Sequence, residues 1–203
     1  MGSSIGYPEV SPGTIAIYSL FECAEHLTKA GGESLAIVSA ACSAHRALQA
    51  ALTAALAGSA NIGASPPRLR QRWIAYFETA YTKRSPKTPG LRVMSLRELA
   101  IEAATSMLPW SNKPLQISSC ESFYLMRLTD YRDDFEHPKQ LSYWFTNREV
   151  TRAIKYTTYI TIRALMEISH QISDQIASIR TLASEISNRC DSVEQDELRR
   201  HSK

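Results

Sequence analysis

The stretch from Glu33 to Ala57 is rich in alanine, and its larger side chains recur at helical spacing. The recurring positions are Leu35, Val38, Cys42, His45, Leu48, Leu52 and Leu56. Alanine has the highest intrinsic helix propensity, and its small side chain lets a neighbouring helix approach closely. This stretch constrains the fold more than any other feature of the chain. It predicts a long helix, ended by Gly58, that packs closely against other helices.

Capping signals predict helices along most of the remaining chain. The predicted starts are Thr14, Ser65-Pro66-Pro67 and the capping boxes Ser95–Glu98, Ser118–Glu121 and Thr146–Glu149. A serine or threonine at each start satisfies backbone N–H groups that have no partner within the helix, and proline is tolerated in the first turn. We therefore expect an all-α bundle of about six helices.

The apolar residues from Val150 to Ile186 keep a spacing of three and four positions. This pattern predicts one long C-terminal helix, or two nearly collinear helices, spanning roughly 60 Å. A compact domain of this size does not need a helix of that length. We therefore expect the far end of the helix to pack on a second chain.

The ends of the chain differ in composition from its centre. Residues 1–13 are rich in glycine and proline and predict an irregular arm. Residues 191–203 are charged and lack aromatic side chains, so we expect a disordered tail. The predicted helical domain is then 14–190, which is long enough to bury a core without disulfides or metal.

The overall composition excludes few functions. The 203 residues carry a formal net charge of +3, which is too small to indicate nucleic acid by itself. The cysteines are Cys23, Cys42, Cys120 and Cys190. Because they are scattered singly, they predict buried free thiols rather than a zinc site or a disulfide framework. No apolar run approaches the length that spans a bilayer, so we expect a cytoplasmic protein without membrane contact, cofactor or metal.

Positive charge is concentrated between Arg68 and Arg97, where Glu78 is the one acidic residue. The candidate RNA-binding residues are Arg68, Arg70, Arg72, Lys83, Arg84, Lys87 and Arg92, together with Lys139. Aromatic side chains are interleaved with this segment, as in surfaces that neutralise phosphates and stack bases. Trp73 and Phe77 also share one helical face, so an alternative is that the aromatics are core and the arginines are solvated.

The segment from Tyr131 to Pro138 combines a fixed cation, acidic side chains and an imidazole. Arg132 and His137 are five positions apart, which turns them about 140° from each other on an ideal helix. Pro138 disfavours the helical conformation of His137, so we expect the histidine to leave the helix and to turn toward the arginine. A histidine and an arginine that hold one phosphate supply proton transfer and positive charge for RNA cleavage without metal.

An arginine followed by a polar residue and, five positions after the arginine, a histidine, all in a helical chain, resembles the Arg-x4-6-His signature of HEPN domains. The resemblance implies a HEPN-like helical bundle. It also implies a homodimer, formed through the helical face near the motif, in which the motifs of two chains form one cleft. It assigns catalytic roles to three residues: Arg132 for transition-state charge, Asp133 for orientation and His137 for proton transfer. The products would carry 2',3'-cyclic phosphate and 5'-hydroxyl ends.

The resemblance further implies a toxin or antiviral defence effector with an antitoxin or defence partner protein. Some HEPN domains are neutralised through a tyrosine two positions after the histidine, where this chain has Lys139. Other members have lost activity, so an inactive helical adaptor, RNA-binding or toxin-antitoxin partner module is an alternative.

Two further interpretations compete for the same residues. Asp134 and His137, with Glu167 and His170, have the carboxylate-histidine spacing of di-iron helical bundles. Alternatively, Arg132 and His137 form only a capped helix end. His45, on the alanine-rich stripe, is predicted to be a core histidine, with a place in the cleft as the alternative.

Overall fold

The computed structural model describes residues 10–31, 33–80, 87–137 and 145–201. Within these ranges every regular element is helical, which confirms the predicted all-α bundle. Its α-helices are α1 (Pro12–Lys29), α2 (Ser34–Ala57), α3 (Pro67–Ala80), α4 (Leu96–Thr105), α5 (Ser119–Glu136), α6 (Asn147–Glu167) and α7 (Ile176–His201). Two 3-10 turns, Ser169–Gln171 and Ser173–Gln175, connect α6 to α7.

Helix α2 lies at the centre of the bundle and packs against α1, α4, α5 and α6. Its fully buried side chains are Ile37, Ala40, Ala41, Ala47, Leu48, Ala51, Leu52 and Ala55. Small alanine side chains on several faces let these helices approach at once, which confirms the prediction of close packing. The predicted stripe was wrong at its first position, because Leu35 is 77% exposed in the opening turn.

The segment Leu35–Ala57 is long and apolar enough to cross a membrane by the criteria of length and composition alone. It is not an uninterrupted apolar run, because polar residues such as His45 and Arg46 stand within it. Buried residues make up 61% of its most apolar window. The surrounding helices therefore account for the apolar composition of α2.

Local capping decides where the helices begin. Ser95 and Ser118 open α4 and α5 with complete capping boxes, as predicted. Helix α1 begins earlier than expected because the Ser11 hydroxyl accepts a hydrogen bond from the Thr14 N–H at 3.1 Å. Ser11 thereby takes the capping role that the sequence assigned to Thr14, and the helix includes part of the predicted irregular arm. Residues 1–9 of that arm lie outside the described part of the chain.

Helices α6 and α7 fold back on each other, so the prediction of one continuous helix or two collinear helices from Val150 to Ile186 was wrong. The prediction of a long C-terminal helix is confirmed by α7, which has 26 residues. The Lys155 ammonium lies 2.7 Å from the Asp191 carboxylate, and the Arg148 N–H donates to the Glu197 carboxylate at 3.0 Å. The apolar spacing continues through the reversal because Ile168 in the connecting turn is also buried. The expectation that the far end of a long helix extends to a second chain therefore loses its basis.

The predicted disordered tail was also wrong for residues 191–201, since α7 continues through His201. Glu194 and Glu197 pair with α6 and fix this part of the chain. Residues 202–203 lie outside the described part of the chain.

Two of the cysteines differ from the prediction of buried thiols. Cys23 and Cys190 are buried, and burial raises the pKa of the Cys23 thiol to about 12. Cys42 is half-buried and Cys120 is exposed. Helical spacing alone did not distinguish the covered positions from the uncovered ones.

Candidate functional site

His137 stands at the C-terminal end of α5, where the helix stops. Its backbone has φ −129° and ψ 67°, and its N–H donates to the Asp133 carbonyl at 3.0 Å. The side chain is exposed. These observations confirm that the histidine leaves the helix, as expected for a residue before proline. Pro138 itself lies outside the described residues.

Arg132 is held by two acidic side chains of its own helix. Its Nη1 lies 2.9 Å from Asp133 Oδ1, and its Nη2 lies 2.7 Å from Glu136 Oε2. The hydrogen bond that Arg132 donates to Asp133 is the main cause that raises the pKa of Arg132. The arginine is therefore a fixed cation whose charge two carboxylates already balance. An incoming phosphate would have to displace at least one of them.

The prediction that the imidazole of His137 turns toward Arg132 stays a prediction. The contacts that orient the guanidinium come from Asp133 and Glu136. Asp133 thus occupies the orienting position expected of the polar residue that follows the arginine. The structure adds Glu136, which the motif does not include.

A second histidine, His45 of α2, lies within electrostatic reach of the same turn. It is 6% exposed, and burial, followed by the charge of Arg132, lowers its pKa to about 4. Asp133 and Glu136 oppose this shift without reversing it. The imidazole is therefore neutral at physiological pH. His45 is buried, which confirms the prediction of a core histidine, and its place in the cleft stays a prediction.

Cys42 lies one turn before His45, and the charges of Arg132 and Glu136 affect the pKa of both residues. Burial raises the pKa of its thiol, Glu136 raises it further, and Arg132 and Arg46 lower it. Packing of α2 against α5 therefore extends the motif into a cluster of groups from two helices. The sequence could not indicate this cluster because the two helices are far apart along the chain.

The predicted RNA-binding residues divide into three groups. Arg68, Arg72, Lys87 and Arg92 are exposed. Arg70 instead pairs with Glu102 of α4 at 3.0 Å, so its charge is already balanced. Lys83, Arg84 and Lys139 lie outside the described residues.

The aromatic side chains of α3 do not form core, so that interpretation was wrong. No side chain of this helix is buried. The ring centroids of Trp73 and Tyr76 are 5.5 Å apart, and those of Trp73 and Phe77 are 5.6 Å apart. The rings therefore pack chiefly on one another, at the surface. An amphipathic pattern predicts an apolar face but does not specify that another helix covers it.

Sequence reasoning missed a groove of about 570 Å³ between α5, α6 and α7. Its lining residues are Phe123, Tyr124, Arg127, Tyr131, Thr146, Arg148, Glu149, Arg152, Glu197 and Leu198. Arg127 lies 4.8 Å from the centroid of the Tyr131 ring, and the Tyr131 hydroxyl donates to Glu149 at 3.3 Å. Cations and acids both line the groove, so it carries no strong preference for either charge. It forms because α7 folds back on α6, which no local signal predicted.

The carboxylate-histidine pairs proposed for a di-iron site do not form a ligand set. Among the described residues, no group of three or more His, Cys, Asp or Glu side chains is placed to hold a metal ion. His170 lies in the turn after α6, where its ring packs on Trp110 at 4.6 Å. His137 lies at the end of α5. The di-iron alternative is therefore not supported.

We compared the chain with protein-family models, with characterised proteins and with solved structures, and none of these comparisons gave a significant match.

Proposed function

We propose that this chain is a metal-independent endoribonuclease of the HEPN type that cleaves RNA to 2',3'-cyclic phosphate ends. The observation that carries the proposal is the placement of an exposed His137 at the end of α5, in the turn that follows a fixed Arg132. An all-helical bundle is also the architecture that the HEPN resemblance implies. We place the activity in the cytoplasm, as a toxin or antiviral defence effector.

The reaction assigns a separate role to each group. An imidazole removes the proton of the ribose 2'-hydroxyl, whose oxygen attacks the adjacent phosphorus. The bond from phosphorus to the 5'-oxygen then breaks, and a second group protonates that oxygen. Arg132 balances the negative charge of the transition state, and Asp133 holds the guanidinium in place. His137 is the proton-transfer group.

A second copy of the chain completes this mechanism. One imidazole cannot act as acid and base in the same step, and His45 is too buried to reach a substrate. In a homodimer that brings two α5 ends together, His137 of one protomer acts as base and that of its partner as acid. An acid-base pair of this kind gives a bell-shaped dependence of the cleavage rate on pH.

A second candidate is an inactive RNA-binding or toxin-antitoxin partner module. The two ion pairs of Arg132 favour it, because their carboxylates compete with a phosphate for the guanidinium. In this candidate the cluster at the end of α5 stabilises the fold, and RNA or a partner protein binds without being cleaved.

One experiment separates these candidates. The purified chain is incubated with mixed RNA in EDTA, and the termini of any products are analysed. Cleavage that survives chelation and is lost in His137→Ala and Arg132→Ala supports the ribonuclease. His170→Ala is the matched control, because this histidine is exposed like His137 but lies in the turn after α6, where it packs on Trp110. Intact RNA with the wild-type dimer would contradict the catalytic proposal and favour the partner module.

Light scattering on the same samples tests the dimer. A wild-type protein that cleaves RNA as a monomer would refute the two-protomer mechanism even if cleavage requires His137. Circular dichroism shows whether each variant keeps its helical content, so that loss of fold is not mistaken for loss of catalysis.

A further inference from the structure

Helix α3 lies against the rest of the bundle mainly through its first turns. Arg70 donates to Glu102 of α4 and to the Ser65 carbonyl, at 3.0 and 3.3 Å. Beyond Arg70, every side chain of the helix to Ala80 is exposed or half-exposed. A helix of this kind adds little apolar burial to the core. Its aromatic residues therefore need an explanation other than stability.

Exposed and half-buried side chains of α3 form two adjacent ridges. Arg68, Arg72 and Tyr76 follow each other at intervals of four residues, as do Trp73 and Phe77. Residues four apart lie above one another on a helix. A cationic ridge thus runs beside an aromatic ridge, and Phe77 is 39% exposed.

The segment that returns from α3 to α4 adds cations to this surface. The Trp73 indole N–H donates to the Gly90 carbonyl at 3.2 Å, which holds the segment against the helix. Lys87 and Arg92, three and two residues from Gly90, are exposed. The segment that carries Lys87 and Arg92 is therefore attached to α3 at Trp73. We call the residues Arg68, Arg72, Trp73, Tyr76, Phe77, Lys87 and Arg92 the α3 surface.

We propose that the α3 surface binds single-stranded RNA by stacking bases on its aromatic side chains and pairing phosphates with its cations. This deepens the proposed function, on which the choice of RNA rests. Stacking needs bases that a duplex does not expose, whereas cations bind either form. Aromatic and cationic side chains side by side therefore favour single strands.

Charge argues against the other occupants of this surface. A second copy would bring its own cations against those of the first, with only Glu78 of each α3 in opposition. A membrane would require a broad apolar face, but the three aromatic rings pack largely on one another. In single-stranded RNA, the negative phosphates can pair with the cationic ridge and the flat bases can stack on the aromatic ridge.

The segment that contains Lys87 and Arg92 continues into α4, where Arg97 pairs with Asp130 of α5 at 2.5 Å. This ion pair attaches the start of α4 to α5. Asp130 and Arg132 do not share a face of α5, because residues two apart on a helix point in nearly opposite directions.

Fluorescence anisotropy tests the proposal on the full chain carrying His137→Ala, so that cleavage does not interfere. The probes are a labelled oligouridine of roughly a dozen nucleotides, within the range of known single-strand sites, and a duplex RNA of equal length. We expect tighter binding of the oligouridine. Adding Phe77→Ala should weaken its binding roughly 5- to 150-fold, the loss of one stacked base. Adding Arg72→Ala should make the slope of the logarithm of the binding constant against the logarithm of the salt concentration less steep by about 0.7, the loss of one phosphate contact.

Tyr18→Ala is the matched control, since this aromatic residue of α1 is 63% exposed and lies outside the α3 surface. Equal affinity for duplex and single strand, or an unchanged affinity in Phe77→Ala, would overturn the proposal. So would an affinity for anionic phospholipid vesicles that exceeds the affinity for RNA, or dissociation of a dimer by Phe77→Ala. Binding that depends on Phe77 without any wild-type cleavage would reject the ribonuclease and retain the α3 surface.

Discussion

Protonation of His45 should weaken the fold in mildly acidic solution. The imidazole is buried between α2 and the end of α5, where burial and Arg132 lower its pKa from 6.5 to about 4. In the unfolded chain the same group takes up a proton near its ordinary pKa. Between these values the unfolded state binds more protons, so stability falls as the pH falls. The contribution of His45 is complete above its unfolded pKa and decreases below it.

The size of this effect follows from the two pKa values. Lowering the pH from about 7.5 to about 5 should reduce the free energy of unfolding by about 2 kcal/mol through this one residue. The loss corresponds to a roughly 30-fold increase in the unfolding equilibrium constant. Asp133 and Glu136 already oppose the lowering of the His45 pKa. They limit the loss without removing it.

Urea unfolding followed by circular dichroism measures the effect. The free energy of unfolding is determined for the wild type and for His45→Gln at several pH values across this range. His45→Gln removes the titrating group. Over this pH range the free energy of unfolding of the variant should therefore fall by about 2 kcal/mol less than that of the wild type. His170→Gln, at an exposed position, should follow the wild-type curve.

Parallel curves for the wild type and His45→Gln would refute this reasoning. They would mean that the imidazole is hydrated in the folded state or finds a partner for its proton. A general loss of stability in His45→Gln at every pH would not count against it, because the test is the difference in slope.

Three further substitutions test contacts that hold the bundle together, each by the free energy of unfolding in urea. Gly63→Ala should lower the free energy of unfolding by about 1–3 kcal/mol or more, because a Cβ there would lie 1.7 Å from the Leu56 carbonyl oxygen. Unchanged stability would show that the chain relaxes freely at this position. Glu197→Gln should lower the free energy of unfolding by about 1 kcal/mol, since its carboxylate accepts hydrogen bonds from two backbone N–H groups at the start of α6. A stabilising effect would contradict this reasoning. Glu121→Gln should cost about 1–3 kcal/mol near neutral pH, and the loss should shrink in acid. Burial raises the pKa of Glu121, but the hydrogen bonds it accepts, including one from Arg163, outweigh burial and lower it.

Much of the secondary structure could be predicted because its signals are local. The capping boxes at Ser95 and Ser118 act within a single turn, and both helices begin there. The position of His137 at a helix end also follows from its neighbour, Pro138, without reference to the rest of the fold. Alanine content alone indicated that α2 is closely surrounded.

The errors arose where a local pattern has several tertiary solutions. A three-four spacing of apolar residues continues unchanged from α6 to α7, whether the helices are collinear or fold back. The spacing therefore could not reveal the reversal, which has no glycine or proline to mark it. The aromatic face of α3 had the pattern of a core helix, yet no side chain of that helix is buried.

The candidate site divides in the same way. The sequence by itself determined that an arginine, two adjacent acids and a histidine stand at the end of a helix, because helix formation and its termination depend on neighbouring residues. Only the tertiary structure brought His45 to Arg132 and left α3 uncovered. Contacts between distant parts of the chain depend on how whole helices pack, and the energy of packing is shared among many side chains rather than specified by any one of them.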